Sequence, residues 1–187
     1  MADNGIDVTN YPVKNSDESS ETVGNPKRLS DEIVSILESR LADEYTAHYF
    51  YMNVANWCNG VGYFKAGAFF AKESDGELEH AKGIQDYLVK WNVFPKIPTV
   101  KTEYPITGLP EAIKEAYALE YDLYQKYNEN SKKILSKDPS TFDFLSKYRT
   151  IQTDSVAEFS DLLNALELIN PSNKLDLLYF EERFFGG

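Results

Sequence analysis

From Ser30 onward the apolar positions recur in steps of three and four, the spacing of one face of an α-helix. A first stripe runs Ile33, Leu37, Leu41, Glu44, His48, Tyr51, Ala55, with Ser30 as N-cap, Asp31 and Glu32 in the first turn, and Gly60 and Gly62 as its end. A second, over about 64–91, carries Phe69, Glu73, Glu77, His80, Ile84 and Leu88. Pro95, Pro98, Pro105 and Gly108 then mark a long connection, and Pro110 suits a helix start. The third stripe is Ile113, Ala116, Glu120, Leu123 and Tyr127, broken by Asp138-Pro139-Ser140. The fourth is Leu145, Tyr148, Gln152, Ser155, Phe159, Leu162 and Leu166, ended by Asn170-Pro171, and a short fifth segment covers about 175–185. Helices of roughly 26–29 residues are ~40 Å long. Short first and third links with a long second one predict an all-α four-helix bundle with a crossover between helices 2 and 3. Strand signals are nearly absent, and residues 97–104 read as an extended crossover along the bundle.

Residues 1–28 break this rhythm. They are polar, centred on Asn15-Ser16-Asp17-Glu18-Ser19-Ser20-Glu21, and read as an extension outside a bundle spanning 29–187. The net charge of −11 argues against a nucleic-acid partner. No apolar run approaches the ~20 residues of a membrane span. The single cysteine, Cys58, excludes an intrachain disulfide scaffold or a Cys-based metal site. With no signal-like N-terminus, the expected compartment is reducing and cytoplasmic.

The polar interruptions carry the chemistry. Glu44, Glu77 with His80, Glu120 and Gln152 each break an apolar stripe near mid-helix. A lone Glu at a stripe's edge usually reaches water, and a lone His usually is a hydrogen-bonded core residue. Four helices interrupted at matching depth are different, because a buried carboxylate is costly unless it is paired or binds a cation. Glu77 and His80, at i and i+3, share one helix face. Carboxylates with one imidazole suit iron or manganese.

At this point the chain resembles a known family. Leu41-Ala-Asp-Glu44-Tyr-Thr-Ala-His-Tyr-Phe-Tyr51, Glu77-Leu-Glu-His80 through Leu88, Ala118-Leu-Glu120, Phe142-Asp-Phe-Leu145 through Gln152 and Leu178-Tyr-Phe180 are similar to the bacterial non-haem ferritins, over about residues 29–185. The resemblance implies a ferritin-like four-helix bundle with a short fifth helix. It implies oxidation of Fe(II) by dioxygen and storage of hydrated ferric oxide inside a homo-oligomeric, 24-chain shell. Glu44, Glu77 and His80 take the positions of the first iron, Glu77 bridges, and Glu120 holds the second. Gln152 stands where the family has a glutamine beside the oxygen-binding region. Tyr51 matches the tyrosine beside the centre, a hydrogen-bond partner and electron donor. In these terms Glu77, Tyr51 and Gln152 are the catalytic candidates.

The departures narrow the expectation. Relatives with permanent di-iron carry Glu-x-x-His on two helices; the fourth helix here offers Gln152-Thr-Asp-Ser155 instead. Leu78 stands where haem-binding bacterioferritins have Met. Gly76, Ile151, Asp154 and Ser155 occupy the positions of a third iron site. The implied centre is therefore free of haem, lacks most of the third site, and holds its second iron weakly, so iron passes through.

His48 reads as hydrogen-bonded within the bundle or facing solvent. Glu73 reads as a solvated residue or a guide for Fe(II), and Asp154 and Glu158 as exposed acids or an inner mineral surface. Trp57 and Trp91 read as core caps. Two rival functions remain: an interaction protein docking through residues 1–28, and an oxidase or peroxidase for a small substrate.

Overall fold

The computed structural model describes residues 29–186. Five helices follow one another: α1 (Asp31–Val61), α2 (Phe64–Lys90), α3 (Leu109–Ile134), α4 (Pro139–Leu166) and α5 (Lys174–Phe184). No strand occurs among the described residues. The first four make the all-α bundle that the stripes predict. The polar extension at 1–28 lies outside the described residues.

Local chemistry sets the helix ends. The Ser30 hydroxyl accepts from Ile33 N at 3.4 Å, and Asp138 accepts from Thr141 N at 3.1 Å. These caps satisfy N–H groups that have no partner inside a helix. α1 runs through Gly60 and closes at Gly62, whose φ of 98° lies in the left-handed region where only glycine rests without strain. The end predicted at Gly60 thus comes at Gly62 alone. α2 has no side-chain cap of its own. Glu181 of α5, 116 residues beyond Lys65, supplies it: its carboxylate accepts from Lys65 N at 2.5 Å and Ala66 N at 3.1 Å. A buried acid at a helix N-terminus is doubly favourable, because it satisfies free N–H groups and meets the positive end of the dipole. That contact docks the fifth helix across the end of the bundle.

Cross-helix contacts give the directions. Going along α1 from Glu44 to Tyr51, the partner on α3 moves back from Tyr127 to Glu120. Between α2 and α4 the contacts pass from His80–Tyr148 to Tyr87–Thr141. Both pairs are antiparallel. The 91–108 connection lies along α1, where Asn53 donates to Thr102 O at 2.9 Å and Tyr104 packs edge-on to Phe50. The core is Leu, Ile and aromatic side chains from all four long helices, closed by Phe180 of α5. On the first half of α2 the buried face is turned by one residue from the sequence expectation: Phe70 is buried, while Phe69 and Glu73 are half-buried at its edge; Glu77, Ile84 and Leu88 are buried as expected. Trp57 and Trp91 are half-buried against the core, as expected of caps.

Candidate metal centre

All four long helices deliver polar side chains to one level of the core. Glu44, Glu77, Glu120 and Gln152 are buried, none more than 4% exposed, and His80 is half-buried. α1 brings Glu44 and Tyr51 two turns apart on its inner face, and α3 brings Glu120 and Tyr127 in the reverse order. α2 brings Glu77 and His80 one turn apart, and α4 brings Gln152.

Glu44, Glu77 and His80 each offer a ligand atom within 4.8 Å of the others. The His80 Nδ1 stands 3.1 Å from Glu77 Oε2 and 3.4 Å from Glu44 Oε2. Glu120 lies outside this triad but is near enough for its charge to act on Glu77. Gln152 stands beside Glu120 and favours its ionised form. The triad is thus compact, and the Glu120 side has fewer protein donors.

The two outer carboxylates share one arrangement. Tyr127 donates its hydroxyl hydrogen to Glu44 Oε1, and Tyr51 donates to Glu120 Oε1. The other oxygens, Glu44 Oε2 and Glu120 Oε2, are buried and accept no hydrogen bond, as is Gln152 Oε1. Unpartnered buried oxygens are expensive. Each outer carboxylate therefore has one oxygen anchored by a tyrosine and one left for something else. Such a donor set, oxygens with one imidazole, suits a hard or borderline divalent cation such as iron.

Electrostatics agree. Burial pushes the Glu77 carboxyl well above its ordinary range, with the Glu44 and Glu120 charges adding to it. Burial raises Glu44 as well, but the His80 and Glu77 side chains beside it and the Tyr127 hydrogen bond outweigh it, so Glu44 is lowered. Burial lifts Glu120 to about 7 against the opposing Tyr51 hydrogen bond. Without metal, burial and the neighbouring carboxylates disfavour the charged form of Glu77. A cation would favour the charged form that ligation requires, so its binding is coupled to deprotonation of the site.

The remaining candidates separate clearly. His48 is buried and bonded within the bundle: its Nδ1 donates to Ser74 O at 2.8 Å, and the Ser74 hydroxyl donates to His48 O at 3.0 Å. Those bonds fasten α1 to α2 and leave His48 outside the triad. Half-buried Glu73 has its pKa raised by burial and by the Glu158 charge, and it acts in turn on Tyr51, Glu77 and Glu120. Asp154 and Glu158 are exposed. A hollow of about 600 Å³ lined by Trp57, Tyr63, Pro110, Leu177 and Leu178 lies at the α5 end and takes in none of the centre's side chains.

Four supporting residues are not conspicuous in the sequence. In the sequence Tyr127 is one more stripe residue, and its place seven residues after Glu120, mirroring Glu44 and Tyr51, is the available signal. Tyr148 packs edge-on against the His80 ring at 5.6 Å and its hydroxyl lies 3.4 Å from His80 O. Gly83 makes that position possible, since a Cβ there would stand 2.5 Å from the Tyr148 hydroxyl oxygen. Arg40, one turn before Glu44, is buried with its guanidinium 2.5 Å from Asp43 and 5.7 Å from the centre of the Tyr127 ring.

Comparison with known proteins agrees with this fold. The sequence model of the ferritin-like domain matches residues 34–169. The bacterial non-heme ferritin of Campylobacter jejuni is 29% identical over 143 residues, 75% of this chain and 86% of that one. That of Staphylococcus haemolyticus is 27% identical over 158 residues, 82% of this chain and 94% of its own. Among solved structures, Chlorobium tepidum ferritin superposes with a TM-score of 0.73 at 27% identity, covering 82% of this chain and 95% of its own. An open-pore ferritin from Archaeoglobus fulgidus, at 22% identity, shares the fold with a TM-score of 0.76 over 84% of this chain and 96% of that one.

Proposed function

The chain belongs to the ferritin-like family, and from that premise we propose that it is an iron-storage ferroxidase that oxidises Fe(II) with dioxygen inside its bundle. The observation that carries this reading is the set of buried, unpartnered oxygens on Glu44 and Glu120 on either side of a Glu-x-x-His pair. Nothing in a purely structural core would favour leaving them bare.

In this reading Fe(II) and dioxygen are the substrates. Glu44, Glu77 and His80 hold one Fe(II). Glu77 also reaches a second held by Glu120, with Gln152 beside it. Tyr51 and Tyr127 keep the outer carboxylates fixed through their anchored oxygens, so the free oxygens point inward. The acidic sequence Glu158, Glu73, Glu77 grades the potential toward the centre and draws cations along it. The iron supplies the redox chemistry, and the protein supplies geometry and charge. Oxidised iron leaves the poorly held second position first and is stored as hydrated oxide.

Storage requires an enclosing assembly, which we take to be the homo-oligomeric 24-chain shell of the family resemblance. The exposed apolar side chains of α5, Leu175, Leu178 and Tyr179, are surface that such an assembly would cover. No described helix is long and apolar enough to cross a membrane. The cytoplasm is the proposed location, in keeping with a single free cysteine. The rival docking role belongs to residues 1–28. The rival small-substrate oxidase is disfavoured by the single Glu-x-x-His pair, since the fourth helix offers Gln152-Thr-Asp-Ser155.

Aerobic loading with Fe(II), followed by size exclusion with iron detection, tests the reading. Iron should co-elute with a large assembly. Glu77→Ala should abolish the fast phase of oxidation in stopped-flow absorbance, and an unchanged rate would refute the assignment.

A further inference from the structure

The two tyrosines at the centre make the same hydrogen bond but have different neighbours. Tyr51 and Tyr127 are both fully buried, each donating to the outer oxygen of one carboxylate. The Tyr51 ring is stacked on Phe70 at 6.0 Å and on Phe159 at 5.8 Å. Phenylalanine is far harder to oxidise than tyrosine, so a hole on Tyr51 has no stacked ring to move to. The Tyr127 ring is stacked on another tyrosine, Tyr148, at 5.6 Å and 11°. Beyond it, Phe144 lies 5.3 Å from Tyr148 and is stacked on Tyr87 at 3.9 Å, and Tyr87 meets Trp91 at 6.4 Å. Trp91 is half-buried at the end of α2. Tyr127 thus has an oxidisable ring stacked on it where Tyr51 has none; beyond Tyr148, Phe144 separates it from the Tyr87–Trp91 pair at the edge of the bundle.

Resting on the ferroxidase reading, we propose that Tyr127 is a second one-electron donor to the centre, opposite Tyr51, and that Tyr148 takes up the hole it leaves. The electron count gives the donor its purpose. Two Fe(II) supply two electrons, which carry dioxygen to hydrogen peroxide with two protons. One further electron from each tyrosine, with two more protons, breaks the O–O bond and gives two waters. At Tyr127 the O–H bond breaks: the electron passes to the oxygen being reduced, and the proton passes to Glu44 Oε1, the atom already accepting it. The Arg40 guanidinium, 5.7 Å from the ring centre, disfavours a cationic ring. Electron and proton therefore leave together, and a neutral tyrosyl radical remains. Tyr148 refills Tyr127 with an electron and a proton, becoming the radical in turn. Gly83 matters here, because only a bare position on α2 lets the Tyr148 hydroxyl lie against the helix while its ring faces Tyr127.

The test uses the full, assembled chain with two Fe(II) per chain added anaerobically, then mixed with dioxygen. Freeze-quenched EPR counts tyrosyl spins, ring-deuterated tyrosine identifies them, and peroxide is counted per dioxygen consumed. Tyr127→Phe keeps the ring and the packing. Per iron oxidised, its early radical signal should fall by about half, since one of two donors is gone, and its peroxide yield should rise severalfold. Tyr148→Phe, which leaves the Tyr127–Glu44 contact in place, should lengthen the life of the Tyr127 radical. Iron oxidation in Tyr127→Phe with unchanged radical and peroxide yields would overturn the proposal. Wild-type radical decay in Tyr148→Phe would remove Tyr148 from it. A wild-type protein that oxidises no iron would instead overturn the ferroxidase reading itself, so the two failures are told apart.

Discussion

Raising the pH from 6 to 8 should destabilise the metal-free protein, and a divalent cation should reverse the effect. Glu120 sits fully buried, with its carboxyl lifted from 4.5 to about 7. A carboxyl whose folded pKa exceeds its unfolded one binds more protons in the folded chain between the two values. Stability then falls as pH rises through that window. At about 1.4 kcal/mol per unit, the full shift is worth ~3 kcal/mol at high pH, and roughly 1 kcal/mol of it is lost between pH 6 and 8. Glu77, raised by the same burial and by Glu44, adds a loss of the same sign. For a chain of this size about 1 kcal/mol moves Tm by roughly 2–4 °C. A cation bound only by the folded state, at a hundred times its Kd, returns about 2.7 kcal/mol. Zn(II), which has no redox chemistry, serves as the probe. Calorimetry should show Tm of the metal-free protein falling from pH 6 to 8, the fall largely removed by Zn(II) and reduced in Glu120→Gln. A metal-free Tm that is flat or rises over this range would refute the buried-acid account.

Two other outcomes follow from particular contacts. Glu181→Gln should cost roughly 2 kcal/mol, because it weakens a buried cap on two α2 N–H groups, whereas Glu182→Gln, which breaks only the exposed pair with Lys65, should cost at most a few tenths; chemical denaturation of both variants checks this. After aerobic oxidation and dialysis, fewer than two irons per chain should stay at the centre of protein whose mineral has been removed, since Glu120 has few companions; two tightly held irons would contradict the transient second position.

The helices and the candidate side chains of the centre are legible for the same reason. A period of three and four marks an inner face, and a Glu, His or Gln on that face is conspicuous. Glu44, Glu77, His80, Glu120 and Gln152 all lie where their stripes put them. What was not legible depends on contacts between distant segments. No local pattern announces that Glu181 caps α2, because α2 merely lacks a cap of its own. Tyr127 and Tyr148 looked like ordinary packing residues, since a tyrosine's polar tip has meaning only once its partner is known. Phe69 and Phe70 are adjacent and alike, so the stripe alone could not choose between them; the turn of α2 that brings Glu77 inward makes Phe70 the buried one. Arg40 hides among apolar neighbours because its charge is met by Asp43, and its stem passes for a long apolar side chain.

Everything functional depends on carboxylates of separate helices jointly binding a pair of irons. Anomalous diffraction from crystals soaked anaerobically in Fe(II) measures this directly. The expected result is two iron peaks per chain, one among Glu44, Glu77 and His80 and one between Glu77 and Glu120. Iron found only on the exposed acids, with the Glu44 and Glu120 free oxygens still bare, would contradict it.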